Sequence, residues 1–294
     1  MSSSITAAPQ LGRLQDVLRR DASALAFEGR LPVDVMELVR RLGLGLVVEP
    51  SLNHQHGGAL RRSGRGWDVV VNRDEARLSA SQLTERERFT VAHEVAHYLI
   101  EGRFGIRPRS GSEYWGIEDL CNDFASRLLI PDFALKAALA ASPEIAKDYL
   151  GVVVRLTKSA RVSLEAAARR LLQSTPSPFV VLSMSIERDS SKGMAGQLLW
   201  CVQSYEWVGS KRGSRVRGNH PLVAAVASAQ ARSEGEMWGL QLGEKLDAFA
   251  QRLTGRRFIV AAVLPQQLTG AAIRSVEEAG VYVDPPEAVA SAPL

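Results

Sequence analysis

Apolar residues recur along the N-terminal part of this chain with helical spacing. Leu11, Leu14, Leu18 and Leu25, separated by Arg and Asp, predict an amphipathic helix over 11–27, after residues 1–10, which are expected to be disordered. Pro32 is expected to open a second helix whose inner face is Val35, Met36, Val39 and Leu42, and Gly43 is its stop. The pattern then turns to that of strands: 44–49, a glycine turn at Gly57 and Gly58, 59–62, and the run W-D-V-V-V-N over 67–72, the clearest strand in this half. Thr84 and Glu87 form a capping box at the head of the most strongly signalled helix, 84–100. Further helices are predicted over 117–129, closed by Pro131, and over 133–140, 145–154 and, with Ser163 as N-cap, up to Leu172.

Two prolines and two serines between Ser174 and Pro178 mark a linker, and the character changes after it. Strands are expected at 179–187, 197–205, 237–242 and 257–264, helices at 220–232 and 271–279, and a small-residue tail from Pro285. A length of 294 residues with 46% hydrophobic and 23% charged residues fits a globular protein of two domains. The formal charge of +4 reads as a solvated basic surface. Cys121 and Cys201 cannot build a disulfide framework or a four-cysteine metal site. No apolar run is long enough for a membrane span, and Met1–Leu11 lacks the marks of a signal peptide, so a cytoplasmic location and no membrane partner are expected.

The chemistry concentrates in His93-Glu94-Val95-Ala96-His97. On a helix, residues four apart share a face, so both histidines can reach one cation while Glu94 stands beside its open position as a base. Apolar flanks at Phe89, Val91, Ala92, Val95, Ala96 and Leu99 bury this helix, where unpartnered polar groups are costly. Catalytic zinc takes three protein ligands, and His220 lies far away in the other domain. Glu118 is the candidate third ligand because it falls on the inner face of the next helix with Leu120, Cys121, Phe124 and Leu128. Asp119 and Asp123 face away, and Glu113 is expected in the preceding loop. Asn122, one turn beyond Glu118, is placed to accept the proton on the far nitrogen of a ligand histidine.

The stretch E-R-F-T-V-A-H-E-V-A-H-Y-L-I, followed by E-D-L-C-N-D-F-A-S-R-L-L-I-P, resembles the ImmA/IrrE family of bacterial metallo-endopeptidases. The lead-in L-P-V-D-V-M-E-L-V-R-R-L-G-L and the strand W-D-V-V-V-N are similar too, so the resemblance covers roughly residues 30–135. It implies metal ligands at His93, His97 and Glu118 and a catalytic glutamate at Glu94. Ala96, Cys121 and Ile130 depart from the family's more frequent Gly, Ala and Met without touching the ligands. The resemblance further implies cleavage of a helix-turn-helix transcriptional repressor, which derepresses genes in a stress or DNA-damage response or on a mobile element. Longer members of the family carry a helix-turn-helix segment and a GAF-like domain after the peptidase, and the order of elements here is similar.

The expected fold class is therefore α+β. A gluzincin-like zinc peptidase domain at 1–140 leads into a helix-turn-helix-like segment at 141–175 and a GAF-like α/β sensor domain at 176–294. Zn2+ is the expected cofactor, with Mn2+ as the alternative in the cell. The strand 67–72 is expected at the sheet edge, where an extended protein substrate would pair. His54 and His56 in H-Q-H, with Tyr114, are candidate substrate contacts. Tyr98 is a weaker one. Arg155, Lys158, Arg161, Arg169 and Arg170 make 150–173 basic, a segment through which DNA would be contacted. Lys211, Arg212, Arg215 and Arg217 form a second basic stretch. The rival function is a DNA-binding or ligand-sensing transcriptional regulator with a structural or vestigial metal site.

Overall fold

In the computed structural model the described residues are 7–26, 29–50, 57–64, 66–74, 82–106, 111–142, 145–174, 179–189, 193–203, 215–216, 223, 237–241, 247–253 and 257–263. They fall into two compact units, one of Met1–Ala141 with Val154–Arg170, the other of Ser142–Val153 with Leu171–Leu294.

The first unit opens with helix α1 (Ala7–Leu25), which starts four residues ahead of the first leucine of its stripe. Helix α2 (Val35–Arg41) begins later than Pro32: Asp34 is its N-cap, its carboxylate accepting from the amides of Met36 and Glu37. Gly43 ends it with a positive φ of 68°, a conformation costly for any side chain. Three strands follow, β1 (Gly45–Glu49), β2 (Gly58–Ser63) and β3 (Gly66–Asn72). β3 lies between the other two, parallel to β1 and antiparallel to β2. This corrects the expectation that 67–72 is the edge. The run Val69, Val70 and Val71 is buried throughout, as suits a strand flanked on both sides, whereas β2 carries Arg61 and Arg62.

Helix α3 (Glu85–His97) lies against β2 and β3 and continues into a π-helical turn, Tyr98–Arg103. Its capping box is complete, with Thr84 Oγ accepting from the Glu87 amide and the Glu87 carboxylate accepting from the Thr84 amide. Helix α4 (Gly111–Leu129) packs on α3 and α1, so Glu113 and Tyr114 are helical rather than in a loop. The core is the meeting of Leu14, Leu18 and Ala22 of α1, Val91, Ala92, Val95 and Ala96 of α3, and Phe124, Ala125, Leu128 and Leu129 of α4. Each large apolar side chain buried there contributes about 1.5–3 kcal/mol.

Helices α5 (Asp132–Ala140), α6 (Ile145–Ala160) and α7 (Leu164–Leu172) follow; Ser163 caps α7 by accepting from the Ala166 amide. Two buried cations bind the first unit together. Arg88 donates to the carbonyls of Val33, Ala160 and Arg161, and Arg170 donates to the Ile130 carbonyl and pairs with Asp132.

The second unit is built on an antiparallel six-stranded sheet of order β6-β5-β4-β9-β8-β7. Its strands are β4 (Phe179–Asp189), β5 (Gly193–Gln203), β6 (Arg215–Val216), β7 (Met237–Gln241), β8 (Asp247–Arg252) and β9 (Arg257–Val263). β8 has no counterpart in the sequence reading. The helix expected at 271–279 and nearly all of that at 220–232 lie outside the described residues. The molecule is mixed α and β, and no described helix is long and apolar enough to cross a membrane.

Candidate metal centre

The face of α3 that meets α4 carries His93 and His97. Their Nε2 atoms are 3.1 Å apart. Glu118, on α4, reaches both: one carboxylate oxygen is 3.2 Å from His93 Nε2 and the other 3.3 Å from His97 Nε2. On its other side the His93 ring places Nδ1 3.1 Å from Asn122 Oδ1, so Nδ1–H donates and Nε2 keeps its lone pair toward Glu118. Burial lowers the pKa of both imidazoles, for His93 reinforced by the neighbouring His97, so both rings are held neutral.

Three electron-pair donors thus converge, and protonation is not what holds them together. The triangle has the size a small cation requires. Ligands 2.0–2.1 Å from a tetrahedral ion lie roughly 3.3–3.4 Å apart, close to the observed 3.1, 3.2 and 3.3 Å. The residues therefore fit a divalent metal ion of the zinc type.

Cys121 gives a second donor set. Its sulfur lies with the two histidine nitrogens in a group whose ligand atoms are all within 4.8 Å. Glu118 is the better third donor on two grounds. Its oxygens are nearer, and a carboxylate offers a charged oxygen at neutral pH, whereas burial, together with the charges of Glu118 and Glu94, pushes the Cys121 thiol well above its usual range.

Glu94 is one residue round the helix from His93 and is buried without a cationic partner among the described residues. Burial and the charge of Glu118 push its pKa up to about 8. It opens on a cleft of about 490 Å³ walled by Gly57, Gly58, Ala59 and Leu60 on one side and α3 on the other. β2 and α3 touch at Gly58, where a Cβ would sit 2.4 Å from Thr90 Cγ2 and 2.5 Å from the Val70 carbonyl oxygen, so only glycine fits. Tyr114 reaches the same cleft from α4, and the charge of Glu118, with burial, raises its phenol pKa.

Other candidates sit elsewhere. His54 and His56 lie outside the described residues. Tyr98 stacks edge-on against Trp67, with ring centroids 6.5 Å apart. Asp119 is exposed, and Asp123 pairs with Arg19 and Arg127. The basic segment 150–173 is largely engaged within the protein. Arg170 is buried, Arg169 pairs with Glu165 on its own helix, and Arg155 donates to the Ala138 carbonyl. Two charged cleft residues escaped the sequence reading, Arg86 and Glu101. The signal was there in the stripe 86, 90, 93/94, 97, 101, which continues the helical face of the histidines in both directions.

Comparison with known proteins bears on the same region. Residues 46–172 match the model of the IrrE N-terminal-like domain. The chain is 28% identical over 192 residues to the radiation response metalloprotease IrrE of Deinococcus deserti, covering 62% of this chain and 68% of that protein. It is 24% identical over 204 residues to its namesake from Deinococcus radiodurans, covering 63% of this chain and 61% of that one. A solved Mycobacterium tuberculosis transcriptional regulator aligns over 90% of this chain and 83% of its own, with a TM-score of 0.49 and 16% identity. The two metalloprotease relatives support a peptidase, and over residues 46–172 the chain is similar to the ImmA/IrrE family.

Proposed function

We propose that the protein is a zinc-dependent endopeptidase that cleaves a helix-turn-helix transcriptional repressor and so derepresses genes, in a stress response or on a mobile element. The observation that carries this reading is the triangle of His93, His97 and Glu118 with Glu94 beside it at the wall of an open cleft. When bound, zinc supplies Lewis-acid chemistry, polarising the scissile carbonyl and acidifying the attacking water. Glu94 accepts the proton of that water and delivers it to the leaving amine. Asn122 holds the His93 ring in one tautomer. Tyr114 is the candidate donor to the oxygen of the tetrahedral intermediate, and β2, an edge strand along the cleft, is the candidate pairing partner for an extended segment of substrate.

The second unit is proposed as a GAF-like sensor, a reading supported by its antiparallel sheet with the first and last strands, β4 and β9, paired at the centre. The relatives named metalloprotease, together with internally engaged arginines in 150–173, favour the enzyme over a DNA-binding regulator. The test is incubation of the purified chain with the helix-turn-helix repressor encoded beside its gene. One or a few internal cuts are expected without chelator, none with it, and recovery on adding zinc. An intact repressor alongside fully metal-loaded protein would refute the assignment.

A further inference from the structure

The cleft is polar in a directional sense. Along α3 its wall runs from Arg86 through Phe89 and Thr90 to His93, Glu94 and His97, and the π-helical turn adds Glu101 at the far end. Three carboxylates, Glu94, Glu101 and Glu118, gather at one end, and Arg86 stands at the other. Apart from the two histidines, Arg86 is the one basic residue among the described residues that line the cleft.

Arg86 is exposed and has no ion-pair or hydrogen-bond partner among the described residues. Its neighbours do not neutralise it. Glu87 is bound to Arg73, and Asp74, which shares with Arg86 a smaller hollow next to the cleft, forms no ion pair with it. An unpaired guanidinium at a cleft wall offers a planar fork of donors suited to a carboxylate.

The helix also sets the distance. Arg86 precedes His93 by seven residues, two turns or about 10.5 Å of axial rise. An extended peptide advances about 3.3 Å per residue, so Arg86 stands about three residues from the atoms where the chain would be cut. Phe89 occupies the interval with an apolar surface.

We infer that Arg86 is a specificity residue, selecting substrates with an aspartate or glutamate two to four residues from the scissile bond. The inference rests on the peptidase reading above and adds to it the chemical class of one substrate position.

The experiment is cleavage-site profiling of a randomised decapeptide library by mass spectrometry, with the full-length, zinc-loaded protein as wild type, Arg86→Ala and Arg86→Glu. Wild type is expected to enrich Asp and Glu about fivefold at one position two to four residues from the cut, the factor a solvent-exposed charge pair provides. Arg86→Ala loses that enrichment, Arg86→Glu replaces it with enrichment of Lys and Arg, and raising the salt to about 1 M flattens both, because the screening length then falls to roughly 3 Å. A wild-type profile indifferent to acidic residues, or one unchanged in Arg86→Glu, would overturn the inference and leave the peptidase reading intact. Absence of any cleavage by wild type would overturn both.

Discussion

Helix α3 carries two glutamates two turns apart that are buried to nearly the same degree, Glu87 at 6% and Glu94 at 7% exposure. At Glu87 burial alone would raise the pKa, but the Arg73 guanidinium and the Thr84 amide and hydroxyl outweigh it and hold the carboxyl below its usual range. At Glu94 nothing offsets burial, and the nearest strong charge, that of Glu118, is of the same sign. A buried charge whose partners are all in place is architecture. One left without a partner in a wall of a cleft is held ready for something that arrives from outside.

The largest expected effect comes from removing the uncompensated carboxylate. Glu94→Gln should lower cleavage of the repressor by roughly 100- to 10,000-fold, the usual worth of a general base. Its metal content by elemental analysis should remain that of wild type, because Glu94 is not in the donor triangle. Full activity in this variant would remove Glu94 from the mechanism and return the regulator reading to the front.

Breaking the compensated pair should act on stability instead. Arg73→Ala leaves Glu87 buried beside no cation, and loss of one partner from a buried pair costs about 3–5 kcal/mol. Chemical denaturation should show that loss in the midpoint. A change below about 1 kcal/mol would mean that water reaches Glu87 and stands in for Arg73.

The third test uses pH. In metal-free protein the Glu94 pKa of about 8 lies above its ordinary 4.5. Between those values the unfolded chain has lost a proton that the folded protein retains, so stability falls as pH rises through that window. Glu94→Gln abolishes the penalty. Its melting temperature, measured after chelation, should equal that of wild type near pH 4.5 and exceed it by several degrees at pH 8 and above. For Glu87 the sign is opposite, since its lowered pKa gives stability that is lost only as pH falls below the ordinary carboxylate range.

The smallest effect is expected at Cys121. Cys121→Ser should bind zinc as wild type does, whereas Glu118→Ala should bind it far more weakly, both read by competition against a chromogenic chelator. The reverse order would make the thiol the third ligand and Glu118 a charged neighbour.

The geometry of the candidate site was partly legible because helices report their own phase. The capping box Thr84–Glu87 fixes where α3 starts, spacing of four puts His93 and His97 on one face, and inner-face phase selects Glu118 and Asn122. What local pattern does not encode is pairing across the chain. W-D-V-V-V-N does not name the strand's partners, although its unbroken valine run suggests that it has two. Nor does a run of arginines tell which are solvated. Arg170 reads as a basic surface residue in sequence, yet it is buried between the Ile130 carbonyl and Asp132, about 40 positions upstream. The proximity of Cys121 to the histidines depends in the same way on how closely α4 packs on α3.

Arg88 fixes when the site can exist during synthesis. Its guanidinium takes one acceptor from Val33, already made, and two from Ala160 and Arg161, which emerge from the ribosome 72 and 73 residues later. Until then α3 has a buried cation lacking two of its three acceptors, and closing so long a loop is a late event in folding. A chain cut after residue 140 would carry every residue of the donor triangle and still lack the carbonyls that hold α3 in position. The unit that holds the candidate site is thus longer than its motif, reaching from Val33 to Arg161.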